Sequence, residues 1–133
     1  MHSIKEYKRE NFIIQKKAQL TSLKLAKLVA ELASNKKAEN IKVLDMRKVV
    51  NFCDYFVICA GTSTRHVSAI SADVQEQLAA LGMPVYHKQG LQDARWVILD
   101  LGSVVLHVFE PETREFYNLD YLWQEAKEVA REK

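Results

Sequence analysis

Leu25, Leu28, Val29 and Leu32 recur at the spacing of one helical face, which predicts a helix over roughly 18–34. Asn35, with Lys36 and Lys37 beside it, suits the C-terminal end of that helix. Ile41-Lys42-Val43-Leu44-Asp45-Met46 then alternates and reads as a short strand. The run Tyr55-Phe56-Val57-Ile58-Cys59-Ala60 has apolar residues at every position, which predicts a central strand covered on both faces. Gly61-Thr62-Ser63-Thr64 ends it and offers hydroxyl side chains to cap a second helix. Val67, Ile70, Val74, Leu78 and Leu81 form the buried stripe of that helix, which Gly82 closes and Pro84 forbids from continuing. Val85-Tyr86-His87 reads as a short strand, and 90–93 as a turn.

Two further apolar runs, Trp96-Val97-Ile98-Leu99-Asp100 and Val104-Val105-Leu106-His107-Val108-Phe109, flank Gly102 and predict a hairpin. A three-residue loop at 101–103 pairs Asp100 with Val104 and Trp96 with Val108. Trp96 and Asp100 then share one face, and His107 lies on the other with Val97 and Leu99; a one-residue slip reverses this relation. Pro111 starts a short helical turn containing Arg114, Phe116 and Tyr117. Asn118 is placed to cap a last helix, with Leu119, Leu122, Trp123, Ala126 and Ala130 on its apolar side.

The order helix, two strands, helix, three strands, helix predicts an α/β domain over 18–133. Its central sheet is mixed, with about five strands flanked by helices, since a hairpin must be antiparallel. Residues 1–17 form a charged lead, helical or disordered. The length of 133 residues fits one domain large enough to bury a core without a metal or disulfide staple. Cys53 and Cys59, six residues apart on an extended segment, would lie about 20 Å apart. A disulfide needs Cα atoms within about 7 Å, so both read as reduced, buried side chains. No apolar run approaches the roughly 20 residues of a membrane span. The first residues lack the apolar core of a signal peptide. A cytoplasmic location away from membranes is therefore expected.

Charge changes this picture only modestly. The net value is +2, from 19 basic and 17 acidic residues, too weak to argue for DNA or RNA as the main partner. The excess sits in residues 1–20, at net +3, while 21–133 carry −1. The lead is thus the one segment suited to a minor contact with RNA.

Candidate chemistry is sparse. His66, His87 and His107 fall on different elements, without helical pair spacing and without a Cys-x-x-Cys, so no metal site is expected. Cys59 lies in an apolar strand, which makes a thiol inert. Gly61-Thr62-Ser63-Thr64-Arg65 lacks the second glycine of a hydrolase elbow, and Ser63 reads as a helix cap. A strand–turn–helix of this kind aims backbone N–H groups at one point and suits a phosphate, with Arg65 assisting. It lacks a Walker lysine, a Gly-x-Gly-x-x-Gly and any Asp-x-Asp, so no cofactor and no catalytic residue are expected. A nucleotide-binding enzyme using the 61–65 turn is the alternative. Aromatic residues crowd the last third instead: Trp96, Phe109, Phe116, Tyr117, Tyr121 and Trp123. Such side chains anchor protein interfaces, and a short hairpin and short helix cannot hide all of them.

Taken together, Val43-Leu44-Asp45-Met46, the run 54–63, Arg65-His66-Val67, the runs 94–102 and 104–109, Arg114-Glu115-Phe116-Tyr117, Leu119 and Leu122-Trp123 form a specific pattern. Over roughly 20–128 the chain resembles the ribosomal silencing factor family, RsfS, also called Iojap. The resemblance implies a nucleotidyltransferase-like fold without catalytic carboxylates, and no enzymatic activity. It also implies binding to protein fourteen of the large ribosomal subunit, with steric block of subunit joining and repression of translation when nutrients are scarce. Organelle relatives act in large-subunit assembly, and homodimers occur in the family. The expected partner-binding residues are Trp96, Asp100, His107, Tyr117, Leu119 and Trp123, with Gly61, Ser63 and His66 as a partner-facing turn. Three features depart from the family pattern: a long lead, Asn51-Phe52-Cys53 in place of a serine-rich segment, and Gln89 where glutamate often precedes Gly90.

Overall fold

The runs 55–60 and 104–109 become the two central strands. A computed structural model describes residues 21–116, 118, 121 and 123–130. Within them lie α1 (Ser22–Asn35), β1 (Glu39–Asp45), β2 (Tyr55–Ala60), α2 (Thr64–Ala80) and β3 (His87–Gln89). They are followed by β4 (Trp96–Asp100), β5 (Val104–Phe109), α3 (Pro111–Phe116) and β6 (Lys127–Val129). The sheet runs β3-β4-β5-β2-β1-β6. β2 and β5 pair in parallel at its centre, and every other neighbouring pair is antiparallel. Every residue of β2 and β5 is buried, as strands covered on both faces require.

α1 and α2 cover one face. Ala26, Val29, Ala30 and Ala33 of α1 and Val67, Ile70, Val74 and Leu78 of α2 meet Val43, Val57, Val97, Leu99, Leu106 and Val108 of the sheet. The alanines let α1 approach closely. α1 starts at Thr21, whose side chain accepts the Lys24 N–H. Ser22 Oγ donates to Asp54 at 2.6 Å, which fastens this start to the strand β2 that follows Asp54. α2 closes as expected, with the Met83 N–H donating to Leu78 O and the Gly82 N–H to Ala79 O.

Among the described residues, no long helix covers the opposite face. Leu44, Met46, Cys53, Phe56, Ile58, Val105 and Phe109 form a second cluster there, joined by Val50, Trp96, Ile98, Trp123 and Ala126.

Three expectations are corrected. The sheet has six strands, because the segment expected as the end of a last helix contributes β6. Residues 123–125 turn, and 127–129 pair with Val43, Leu44 and Asp45. The outer edge of β1 would otherwise leave backbone groups unpaired, which outweighs the helix propensity of a short segment. Leu119 and Leu122 of that expected helix lie outside the described residues. The third strand falls two positions later than expected, at His87–Gln89, with the Tyr86 N–H donating to Asp100 O.

The hairpin register also differs from the expected one. Trp96 pairs with Phe109, Ile98 with His107 and Asp100 with Val105. The Leu101 N–H donates to Val104 O at 2.9 Å, so the turn consists of Gly102 and Ser103 alone. Gly102 has φ +90°, a value that favours glycine, at the first turn position. The Asp100 carboxylate accepts the Gly102 N–H at 2.8 Å. This register aligns Leu99 with Leu106 and Leu101 with Val104 toward the helices. The three-residue loop would have set Asp100 against Val104 and turned one strand's apolar set away from the core. His107 therefore shares a face with Trp96 and Asp100.

Candidate partner-binding face

β4 and β5 bring Trp96, Ile98, Asp100, Val105, His107 and Phe109 to the face opposite α1 and α2. β2 adds Phe56 and Ile58, and the segment before β6 lays Trp123 across them. Trp123 meets Phe56 edge-on at a centroid distance of 5.3 Å and His107 at 5.2 Å. Phe56 and His107 are 4.5 Å apart, and Trp96 lies 5.0 Å from Phe109. Trp96 and Trp123 are half-buried, each packed into the cluster and partly exposed. Phe52 adds an exposed ring 6.2 Å from Phe56, and Tyr121 is 63% exposed.

His107 is 5% exposed, so its ring does not reach the surface as a direct anchor would. Trp96 Nε1–H donates to His107 Nδ1 at 3.1 Å. An indole N–H can only donate, so Nδ1 carries the lone pair and the neutral ring holds its proton on Nε2. Among the described residues Nε2 has no hydrogen-bond partner. Burial among aromatic rings pulls the His107 pKa down to about 3. The residue thus acts from below, fixing the plane of Trp96. Asp100 has a structural task as well, holding the hairpin turn. Tyr117 and Leu119 lie outside the described residues.

Gly61, Ser63 and His66 form a separate locus at the β2–α2 turn. Ser63 Oγ accepts the His66 N–H at 3.1 Å. His66 Nδ1 accepts the Thr62 N–H at 2.8 Å, which leaves Nε2–H to donate to Lys36 O at 2.8 Å. The imidazole therefore ties this turn to the end of α1. The N–H groups of Thr62 and His66, two donors a phosphate would need, are taken by side chains of the turn itself. A Cβ on Gly61 would lie 2.8 Å from Val67 N, so the close approach of α2 requires glycine there.

Burial pushes the Cys53 thiol up to about 11 and the Cys59 thiol up to about 12, which suppresses thiolate at neutral pH. The side-chain hydrogen bonds of Arg47 hold Asp45 down at about 2. Among the described residues no three His, Cys, Asp or Glu side chains converge as metal ligands, and no helix is long and apolar enough to cross a membrane.

An open cleft of about 450 Å³ borders the face where β4 begins and β5 ends, with Asp93, Arg95, Trp96, Glu110 and Glu112 in its walls. The sequence reading missed this cleft and the Phe52 ring. The acidic run around Pro111 was the available signal for the cleft, but only the Trp96–Phe109 pairing brings it beside residues 93–96.

Sheet order, the layer formed by α1 and α2, and an aromatic opposite face define a small open-sheet α/β domain. A family model described as "Ribosomal silencing factor during starvation" matches residues 19–133, and the chain belongs to this family. It is 41% identical over 102 residues to Ribosomal silencing factor RsfS of Bacillus subtilis, covering 77% of this chain and 86% of that protein. It is 34% identical over 99 residues to the mouse (Mus musculus) protein named Mitochondrial assembly of ribosomal large subunit protein 1, covering 72% of this chain and 43% of that one. A crystal structure of a Bacillus halodurans protein superimposes with a TM-score of 0.73 at 35% identity, covering 81% of this chain and 98% of that one.

Proposed function

We propose that this protein is a ribosomal silencing factor working without catalysis, as a steric block. Its aromatic sheet face docks on a protein of the large subunit, protein fourteen, and the bound body prevents the small subunit from joining when nutrients are limiting. The observation that carries this reading is the Trp96–His107–Trp123 cluster on the face opposite α1 and α2, in a chain of the RsfS family. Two half-buried tryptophans give an interface anchors that lose little conformational freedom on binding. A chain of this length is about 30 Å across. An interface of about 600–1,000 Å² per side would hold it in place while the rest of the body obstructs the subunit face. Residues 21–133 carry a net −1, which suits a basic ribosomal protein, and the +3 of residues 1–20 suits a minor contact with nearby ribosomal RNA. The protein then works in the cytoplasm, as a monomer or a homodimer.

Sedimentation with purified large subunits tests the reading. The protein should travel with free large subunits at micromolar concentration and reduce formation of joined ribosomes. Large subunits left unbound under those conditions would refute it. A second reading, large-subunit assembly through the same face, is favoured by the name of the mouse relative. Depletion of the protein distinguishes the two: accumulation of precursor particles supports assembly, and normal subunits with excess joined ribosomes support silencing.

A further inference from the structure

We propose that His66 is a proton-operated latch: its neutral ring locks the β2–α2 turn to the end of α1, and a second proton on the ring releases the Thr62 N–H. The inference goes beyond the partner-binding reading and does not depend on it. Two bonds to the ring define the closed form. A backbone N–H can only donate, so the 2.8 Å bond from the Thr62 N–H requires a bare Nδ1. The ring proton then sits on Nε2 and is donated to Lys36 O, also at 2.8 Å. That second bond joins residues 30 positions apart in the chain. The backbone of His66 is itself anchored at the start of α2, where its N–H donates to Ser63 Oγ at 3.1 Å.

A second proton goes to Nδ1 and turns it from an acceptor into a donor. It then meets the Thr62 N–H donor against donor, and that bond is lost. Thr62 Oγ1 lies 3.2 Å from the same nitrogen, and a hydroxyl oxygen can accept the new proton. The ring therefore exchanges one Thr62 partner for another, while Nε2–H keeps its bond to Lys36 O. One proton thus selects between two discrete arrangements of the turn. His66 is half-buried, so solvent protons reach it. The charged groups on the elements around the ring are Lys36 and Lys37 at the end of α1, Glu39 on β1, Arg65 and Asp73 on α2, and Glu110 after β5. Lys36 pairs with Asp73 at 3.9 Å, and none of the described ion pairs includes His66. The proton therefore acts through the hydrogen bonds of the turn and not by breaking a salt bridge. Gly61 stays in place, because its N–H donates to Phe109 O at 2.8 Å, which confines the change to residues 62–66.

NMR of the full-length protein, titrated from about pH 8 to about pH 5, where histidines change charge, tests the latch. At the upper end the His66 ring nitrogens should show a bare Nδ1 and a protonated Nε2. The Thr62 amide should shift with the same midpoint as the ring. Its hydrogen-exchange protection, corrected for the intrinsic pH dependence of exchange, should fall about tenfold, the weight of one hydrogen bond. The Gly61 amide should keep its protection. His66→Asn supplies the comparison, because its side-chain oxygen accepts an N–H at every pH in this range and carries no titrating proton. In that variant the Thr62 amide should no longer respond. Melting curves check that the variant folds, and the wild-type titration decides the question where it does not. A midpoint shared by ring and amide in wild type supports the inference. The opposite tautomer, a ring that stays neutral over the whole range, a Thr62 amide indifferent to the ring, or an equal response in folded His66→Asn overturns it.

Discussion

His107 is a buried neutral imidazole, and its protonation is linked to folding. Its folded-state pKa of about 3 lies below the unfolded value of about 6.5. The unfolded chain therefore binds the proton first. The stability contribution is complete above about pH 6.5 and declines as pH falls toward 3, by up to about 1.4 kcal/mol per pH unit. Urea denaturation at pH 7, 6 and 5 should show a shallower decline for His107→Gln than for wild type, and parallel declines would contradict a neutral buried ring. Asp45 acts in a lower window. Its carboxyl is held down at about 2 by Arg47, so its contribution is present above about pH 4 and lost between 4 and 2. Gly61 is a steric rather than an electrostatic case. Gly61→Ala would press a methyl against Val67 N and Cγ2, at 2.8 and 2.9 Å, and should cost about 1–3 kcal/mol in urea denaturation.

At the scale of elements, the sheet divides into a firm centre and a lightly held edge. β2 and β5 are buried along their whole length, while β6 pairs only with Val43, Leu44 and Asp45 and has two exposed residues of its three. Native-state hydrogen exchange should therefore release the β6 amides through local opening, well before those of β2 and β5, which exchange near the global unfolding free energy. Simultaneous exchange would show that the edge strand is part of the core. Trp123, lying just before β6, is half-buried against Phe56 and His107. Trp123→Ala should cost about 2 kcal/mol of stability, less than the roughly 3–5 kcal/mol of a fully buried ring. Calorimetric melting gives that number directly.

At the scale of the whole molecule, the two faces of the sheet differ in what packs on them. The helices α1 and α2 complete the main core, and among the described residues Trp123 and Ala126 pack on the aromatic face that the proposed docking would use. Trp96→Ala should weaken large-subunit binding by about 2 kcal/mol or more. A substitution on the helical side of comparable exposure, such as Lys27→Ala, should leave binding unchanged. Sedimentation of both variants under one salt condition checks which face is used.

The local pattern determined most elements by itself. Apolar periodicity placed α1 and α2, the unbroken run 55–60 placed a central strand, and Ser63 was recognisable as a cap because it needs only its own turn. The family was legible too, from motifs held in order and spacing. The hairpin register was less accessible, although Gly102-Ser103 is itself a two-residue turn signal. Counting residues in the loop leaves two registers open, and the choice falls to whichever set of side chains meets the helices. β6 was illegible because a three-residue strand exists only where another strand offers an edge, and β1 lies some eighty residues earlier in the chain. The burial of His107 depends on that same register and on Trp123. Local periodicity is written in neighbouring residues, whereas register, edge pairing and the cleft beside Trp96 arise between segments far apart in sequence, where packing decides.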